Sequence, residues 1–385
     1  MSFSDVDLRM MAEALRLAER GRYSTSPNPR VGCVICRDGQ LISQGWHQRA
    51  GEGHAEVNAL AQLSDAKGAT AYVTLEPCSH QGRTPPCADT LINAGVSRVV
   101  VAMEDPNPLV AGRGITRLRE AGIHVDVGLM AVQAEALNPG FMRRMRGGLP
   151  WLRLKSASSI DGRTAMASGE SQWITGPEAR VDVQKLRAQS CAILSGVETI
   201  LHDDAALTVR ADSFSIEDVS AQALDGQWRQ PLRVIVDSSL RTPPTAKLLA
   251  GGGEVLIATR VTDIAKHKAL MAAGAKIVVI EDDGGGKVSL PALMRYLADR
   301  GCNEVLLEAG AVLAGAALRA GLVDDWFVYM APCLMGSSGR PLVDWPMTAM
   351  QEQQAVDIID IRAVGKDWRI QCRVPKAQHN GLEQA

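Results

Sequence analysis

Four side chains with donor chemistry fall in one short stretch of the chain. They are His54 and Glu56 in His54-Ala55-Glu56, Cys78 after Glu76-Pro77, and Cys87 after Pro85-Pro86. A neutral imidazole and two thiolates make a three-ligand set for zinc, with the fourth position left to water. A carboxylate two residues from the ligand histidine, and not itself a ligand, can move protons. That inventory suits hydrolytic deamination, in which hydroxide attacks a ring carbon bearing an exocyclic amine. Zinc lowers the pKa of bound water to about 7. Glu56 can take that proton and return it to the ring nitrogen and the departing ammonia. A purely structural zinc prefers four protein ligands, and His80 or the Cys33/Cys36 pair could supply the fourth. Residues three apart on a strand face opposite sides, so Cys33 and Cys36 read as core thiols; His80 is taken as a group on the substrate side or one supporting the ligands from behind. A lone buried Cys or His is ordinarily a packing residue; the clustering is what points to metal.

The elements that must position this set can be read in order. Ser4 and Asp7 form a capping pair for a helix reaching Gly21. Val31 to Ile35 and Leu41 to Trp46 read as a hairpin about Asp38-Gly39. A helix is expected from His54 to Leu63, and strands over Ala71 to Leu75, Ser97 to Met103 and His124 to Val127, with helices between them. Alternating strands and helices predict a three-layer α/β domain. The basic, glycine- and proline-rich run from Arg143 to Pro150 carries no apolar period and marks a boundary. The expected domains are 1–147 and 148–375, with a polar tail at 376–385. The second restarts the α/β pattern: strands at Trp151 to Ser156, Cys191 to Ser195, Arg233 to Val236, Val255 to Ala258, Lys276 to Ile280, Glu304 to Leu307 and Trp326 to Met330. Helices are expected at Gly176 to Gln189, Leu290 to Ala298 and Ala311 to Ala320, and Ser213 to Gln230 reads as a surface loop.

At 385 residues the chain is too long for one ordinary core. Its formal net charge of −2 gives no footprint for duplex nucleic acid. No apolar run is long enough to span a membrane, and the start of the chain lacks a signal pattern. Eight cysteines without regular spacing suit a reducing compartment, so a cytoplasmic location is expected. In the second half the signals are weaker taken singly. Gly310 to Gly315 follows a strand and opens a helix, where backbone N–H groups can hold a phosphate. It lacks the Lys-Ser/Thr of a P-loop and the spacing of a dinucleotide fingerprint. Taken alone, the turn is better explained by tight strand-to-helix packing.

His54-Ala55-Glu56 with Pro77-Cys78 and Cys87 resembles the cytidine-deaminase superfamily, although eight residues separate the cysteines where P-C-x-x-C is usual. With Ser26-Pro27-Asn28-Pro29-Arg30-Val31-Gly32, the Cys78–Cys87 spacer and Asp105-Pro106-Asn107-Pro108, the first half resembles the deaminase domain of the bifunctional riboflavin-biosynthesis enzymes. Leu154 to Gly162, Ser168 to Thr175, Asp203-Asp204, Leu207 to Arg210, Val236-Asp237-Ser238 and Glu308-Ala309-Gly310 resemble the reductase domain of the same family, which has a dihydrofolate-reductase-like α/β fold. Ala311 departs from it, since proline is frequent there.

The resemblance implies deamination of 2,5-diamino-6-(5-phosphoribosylamino)pyrimidin-4-one, followed by NADPH-dependent reduction of the ribosyl group of 5-amino-6-(5-phosphoribosylamino)uracil. It implies one zinc per chain on His54, Cys78 and Cys87, catalysis by Glu56, and substrate contacts at Asn28, His47, His80 and Arg83. In the second half it implies NADPH contacts at Ala157, Trp173, Thr199, Asp203, Ser238 and the turn Gly310, Ala311, Val312, Leu313, Ala314, Gly315 and Ala316. Substrate contacts follow at Ser171, Arg187, Leu207, Arg210 and Glu308. Arginines suit a ribose phosphate because they donate in pairs. Asp203 and Lys155 are candidates for proton handling. The expected partners are a phosphorylated pyrimidine and further copies of the chain, with no nucleic acid and no membrane. The rival readings are a cytidine or tRNA-adenosine deaminase with an unrelated second domain, and a structural-zinc module.

Overall fold

The computed structural model describes residues 3–79, 85–108, 110–214 and 228–376. Two compact units meet in sequence between Leu149 and Pro150. His80, Arg83, most of the expected Ser213 to Gln230 loop and all but the first residue of the polar tail lie outside the described residues.

The first unit contains α1 (Asp5–Glu19), β1 (Gly32–Arg37), β2 (Gln40–Trp46), α2 (Ala55–Leu60), β3 (Thr70–Val73), α3 (Cys87–Asn93), β4 (Arg98–Val101), α4 (Arg113–Glu120), β5 (His124–Val127), α5 (Ala131–Leu137) and α6 (Pro139–Met145). The strands form one sheet in the order β2-β1-β3-β4-β5. β1 is antiparallel to both neighbours, while β3, β4 and β5 run parallel. Each face buries its own apolar cluster. Cys33, Ile35, Val73, Val99 and Val101 pack with Ala55, Ala59, Leu91 and Leu118 of α2, α3 and α4. Val34, Cys36, Tyr72 and Val100 pack with Met11, Leu15 and Ala134 of α1 and α5. This is the expected three-layer arrangement, and it puts Cys33 and Cys36 in opposite cores, as their spacing on a strand requires.

A charged network anchors α1. Ser4 and Asp7 form the anticipated capping box. The Asp7 carboxylate also accepts from Tyr72 Oη at 2.8 Å and from Arg98 Nη1 at 2.7 Å. Arg98 reaches Asp126 on the neighbouring strand as well.

The second unit contains β6 (Trp151–Ser159), β7 (Arg163–Ala165), α7 (Pro177–Gln189), β8 (Ala192–Gly196), α8 (Val197–Asp203), β9 (Leu232–Val236), β10 (Val255–Thr259), α9 (Ile264–Ala272), β11 (Ala275–Val279), α10 (Leu290–Asp299), β12 (Glu304–Glu308), α11 (Ala311–Arg319), β13 (Val323–Ala331), β14 (Arg340–Pro341), β15 (Asp357–Val364) and β16 (Asp367–Arg373). The main sheet has the order β11-β10-β9-β8-β12-β6-β13-β16-β15, with β7 and β14 paired separately. From β11 to β13 every pairing is parallel, and β16 and β15 add an antiparallel edge. The chain leaves β6 for β8, walks outward to β11, and returns to insert β12 between β8 and β6. In an open parallel sheet such a reversal opens a crevice at the carboxyl ends of the strands, where ligands bind.

Sequence and structure part company in several elements. The helix expected over His54 to Leu63 is the shorter α2, with His54 as its N-cap. Arg143 to Met145 are helical rather than linker, because Pro139 at the first helical position starts α6 just before them. β15 lacks an alternating pattern because both of its faces are largely exposed, so nothing in its sequence separates an inner from an outer face.

Burial alone would raise the Asp7 carboxyl, but the bonds from Arg98, Ser4 and Tyr72 outweigh it and hold Asp7 well below the usual carboxylate range. A depressed folded-state pKa contributes stability above the unfolded value near 4 and loses it as pH falls below that point. Asp7→Asn should therefore cost about 2 kcal/mol at neutral pH. In denaturant titrations its deficit against the unsubstituted chain should shrink as pH drops below about 4.

Candidate active sites

The ends of β3, α2 and α3 place the first site. His54 caps α2, Glu56 lies in its first turn, and Cys87 is the first residue of α3. Cys78 follows the strand β3 and the Thr74 to Pro77 segment. His54 Nδ1 lies 3.2 Å from Cys87 Sγ and 3.6 Å from Cys78 Sγ. The three ligand atoms lie within 4.8 Å of one another, the one such group found among the described residues. Donors bound tetrahedrally to one zinc at roughly 2.0–2.3 Å stand about 3.4–3.8 Å apart, so these residues fit the ion. The Cys87 backbone N–H points at Cys78 Sγ at 3.3 Å. The Cys78 thiol is brought down to about 4, chiefly because Cys87 Sγ donates to it. Cys87 is correspondingly pushed up by Cys78 and by burial. Such a pair holds one proton between two sulfurs, and metal capture releases it.

Glu56 is almost fully buried, and that burial raises its carboxyl above the ordinary value. A raised carboxyl suits proton exchange near neutral pH. Burial raises the Cys33 thiol well above its ordinary value, and the nearby Glu56 charge adds to the shift. Cys33 is therefore a neutral wall beside the base. His47 is buried between Gly53 O and Asn28 Nδ2, at 3.1 Å from each. Its ring stands edge-on to that of His54, with centroids 5.3 Å apart. Asn28, His47, His54, Glu56, Cys78 and Cys87 thus belong to one neighbourhood.

Glu76, quoted above only as part of a motif, proves to be the support of this site. Its carboxylate accepts from the backbone N–H groups of Asp105 (3.1 Å), Gly112 (2.9 Å), Gly114 (2.8 Å) and Ile115 (3.3 Å). The acid therefore sits on the N-terminal turn of α4, where unpaired N–H groups favour negative charge. Gly114 has to be glycine, since a Cβ there would stand 1.9 Å from Pro77 O. The Glu-Pro-Cys turn is pinned to α4 through both residues before the ligand. The signal that could have found Glu76 was a carboxylate directly before the Pro-Cys turn.

In the second unit, Lys155 on β6, Arg187 on α7 and Glu308 at the end of β12 meet at the switch point. Arg187 donates to Glu308 through Nε at 2.6 Å and Nη2 at 2.9 Å, and through Nη1 to Thr208 O at 3.0 Å. Burial would raise the Glu308 carboxyl, but Arg187, Lys155 and Arg210 together bring it below its ordinary value. Burial lowers the Lys155 ammonium, with Glu308 opposing and Arg187 adding to the shift. The segment before Arg210 is clamped by side chains: Gln230 brackets Val209 through both amide atoms, and Gln184 Oε1 accepts from Arg210 N–H. Leu207 is buried there, while Arg210 is exposed.

The remaining expected residues are placed as follows. Trp173 is 68% exposed and stacks under the Arg180 guanidinium at 4.6 Å. Ser171 shares its loop, Ala157 lies on β6, and Thr199 on α8. Asp203 closes α8 in an exposed position, and among the described residues the charges acting on Lys155 are Glu308 and Arg187. Ser238 Oγ accepts from Val288 N–H at 3.0 Å. Gly310 caps α11 and is exposed, as is Val312. Ala314 and Gly315 are buried in the helix interior face, and a Cβ on Gly315 would meet Asp344 O at 2.1 Å. The glycine at 315 thus answers to the Asp344 backbone.

Comparisons with known proteins agree with both halves. The description "Cytidine and deoxycytidylate deaminase zinc-binding region" matches residues 4–103, and "RibD C-terminal domain" matches residues 150–370. The riboflavin biosynthesis protein RibD of Escherichia coli K12 is 52% identical over 361 residues, covering 93% of this chain and 96% of that protein. Its Haemophilus influenzae counterpart is 46% identical over 373 residues, covering 96% and 98%. Acinetobacter baumannii RibD superposes with a TM-score of 0.88 at 45% identity, covering 96% of this chain and 99% of that one. A Thermotoga maritima diaminohydroxyphosphoribosylaminopyrimidine deaminase/5-amino-6-(5-phosphoribosylamino)uracil reductase does so at 0.83 and 28%, with the same coverage. The chain is a two-part α/β enzyme with a zinc-binding deaminase domain and a reductase domain. It belongs to the RibD family of bifunctional riboflavin-biosynthesis enzymes. Among the described residues no helix is long and apolar enough to cross a membrane.

Glu76→Gln puts an amide nitrogen where an oxygen accepts from α4. It should weaken zinc retention about 10- to 100-fold, as loss of a supporting hydrogen bond does elsewhere. Chelator competition at constant pH measures this, and far-UV circular dichroism should stay unchanged.

Proposed function

We propose that the first unit hydrolytically deaminates 2,5-diamino-6-(5-phosphoribosylamino)pyrimidin-4-one, and that the second reduces the ribosyl group of 5-amino-6-(5-phosphoribosylamino)uracil to ribityl with NADPH. The observation that carries the reading is the convergence of His54, Cys78 and Cys87 beside the buried Glu56. The domain assignments are 1–147 for the deaminase, 148–375 for the reductase and 376–385 for a tail. The Thermotoga relative's two named activities support the substrates.

In the deaminase site one zinc, held by His54, Cys78 and Cys87, supplies an activated water. Glu56 would accept one proton from the attacking water and pass it to the ring nitrogen, then carry the second proton from the added oxygen to the leaving amine. Its burial raises the carboxyl above its ordinary value, which favours taking up that proton. Asn28, His47, His80 and Arg83 line the pyrimidine pocket.

In the reductase site NADPH supplies the hydride for C1′ of the opened ribosylamine. The start of α11, where Gly310 and Val312 are exposed, offers first-turn N–H groups to a phosphate of the cofactor, within the turn from Gly310 through Ala316 assigned to NADPH. Ala157, Trp173, Thr199, Asp203 and Ser238 complete its contacts. The substrate meets Ser171, Leu207, Arg187, Arg210 and Glu308. Arg187 has its paired donors committed to Glu308, so the exposed Arg210 is the better match for the substrate phosphate. Lys155 Nζ, its ammonium made more acidic by burial, is the proton donor toward the sugar oxygen. Asp203, at the exposed end of α8, is the second candidate for that proton.

A near-neutral chain acting on a small phosphorylated substrate, without nucleic acid, suits a cytoplasmic homo-oligomeric enzyme. The test is a paired assay on Glu56→Gln. Ammonia release should fall by about 10²–10⁴-fold with zinc content unchanged. NADPH oxidation on the already deaminated pyrimidine should stay intact. Ammonia release undiminished in Glu56→Gln, or an unsubstituted chain that consumes no NADPH, would overturn the reading.

A further inference from the structure

We propose that His47 is a positioning residue that orients the carboxamide of Asn28, so that the deaminase pocket presents Asn28 Oδ1 to a hydrogen-bond donor of the aminopyrimidine. The proposal rests on the placement of Asn28 in that pocket.

The orientation follows from a chain of donors and acceptors in which each link dictates the next. Gly53 O can only accept, and it lies 3.1 Å from His47 Nδ1. Nδ1 must therefore carry the ring proton. A ring whose one proton sits on Nδ1 presents a lone pair at Nε2. The atom facing Nε2 at 3.1 Å is then the Asn28 amide nitrogen, a donor. The opposite choice would set two acceptors against each other. With Nδ2 committed, Oδ1 is the atom left over, and among the described residues it has no donor.

The far end of the chain is fixed as firmly. Asn58 Nδ2 donates to Gly53 O at 3.1 Å and to Trp46 O at 2.8 Å, so the carbonyl that sets the His47 tautomer is itself held. The His47 backbone N–H is bonded to Val31 O at 2.9 Å. His47 is buried while Asn28 is only partly so. The imidazole thus stands behind Asn28, and its ring edge lies against the His54 ring. Without it, Asn28 could turn either amide atom toward the substrate, and half of its orientations would offer a donor to a donor.

A double-mutant cycle on the zinc-loaded full chain tests this. Asn28→Ala should lower deaminase kcat/KM by about tenfold, the scale of one hydrogen bond to substrate. His47→Phe should lower it by a similar factor, and Asn28→Ala/His47→Phe should be no worse than Asn28→Ala alone. His47→Gln should recover most of the loss, because its amide keeps a donor for Gly53 O and an acceptor for Asn28 Nδ2. Zinc content and melting temperature are read for each variant. Losses that multiply in the double variant would overturn the orienting role while leaving Asn28 in the pocket. A silent Asn28→Ala would overturn the pocket placement and the proposal together. If His47→Phe does not fold, ¹⁵N spectra of the histidine rings in the unsubstituted zinc-loaded chain decide the matter. The Nδ1–H tautomer is expected at His47, and the Nε2–H tautomer would overturn the proposal.

Discussion

Two thiols and an imidazole from three separate turns have to meet within 4.8 Å, and the first unit is built around that demand. Ligands so far apart in sequence, with His54 and Cys78 24 positions apart and His54 and Cys87 33 positions apart, can be held only by the elements that carry them. α2 rests on the sheet through Ala55 and Ala59, and α3 through Ala88 and Leu91. The alanines among them let the helices come close, so His54 and Cys87 emerge at the same edge. Cys78 has no helix of its own, and the Glu76 carboxylate on the start of α4 takes that role. Loss of any of these supports would separate the donors without removing one.

The second unit concentrates charge where the first concentrates soft ligands. Arg187 and Glu308 are nearly buried, with side-chain exposures of 12% and 11%. Desolvating two ions costs more than a single contact returns unless the geometry is good. Here the guanidinium meets the carboxylate through two donors, and its third bond ties down Thr208 O. The pair therefore fixes the segment leading to Arg210 and leaves Lys155 as the titratable group of the crevice. Its position at the point where β12 is inserted between β8 and β6 is where an open parallel sheet can admit a ligand.

The chemistry was more legible in the sequence than the scaffold that supports it. The meeting of His54, Cys78 and Cys87 could be read directly, because metal ligands are few in kind and their clustering is rare by chance. The opposite facing of Cys33 and Cys36 followed from strand geometry alone. Glu76 was invisible as a support, since its four partners are backbone N–H groups that follow it by 29 to 39 residues. The commitment of Arg187 to Glu308 could not be read either, because they lie 121 positions apart. Gly315 looked like part of a phosphate turn, yet the space it keeps open is filled by the Asp344 carbonyl. Local pattern reveals which atoms can react, whereas the contacts that aim them are long-range.

The central claim is that three protein donors hold the zinc and leave one position to solvent. X-ray absorption at the zinc edge of the loaded full chain measures this directly. The account predicts two sulfurs at about 2.3 Å and one nitrogen with one oxygen at about 2.0–2.1 Å. A third sulfur, or a second imidazole nitrogen in place of the oxygen, would contradict it by closing the position that the reaction needs.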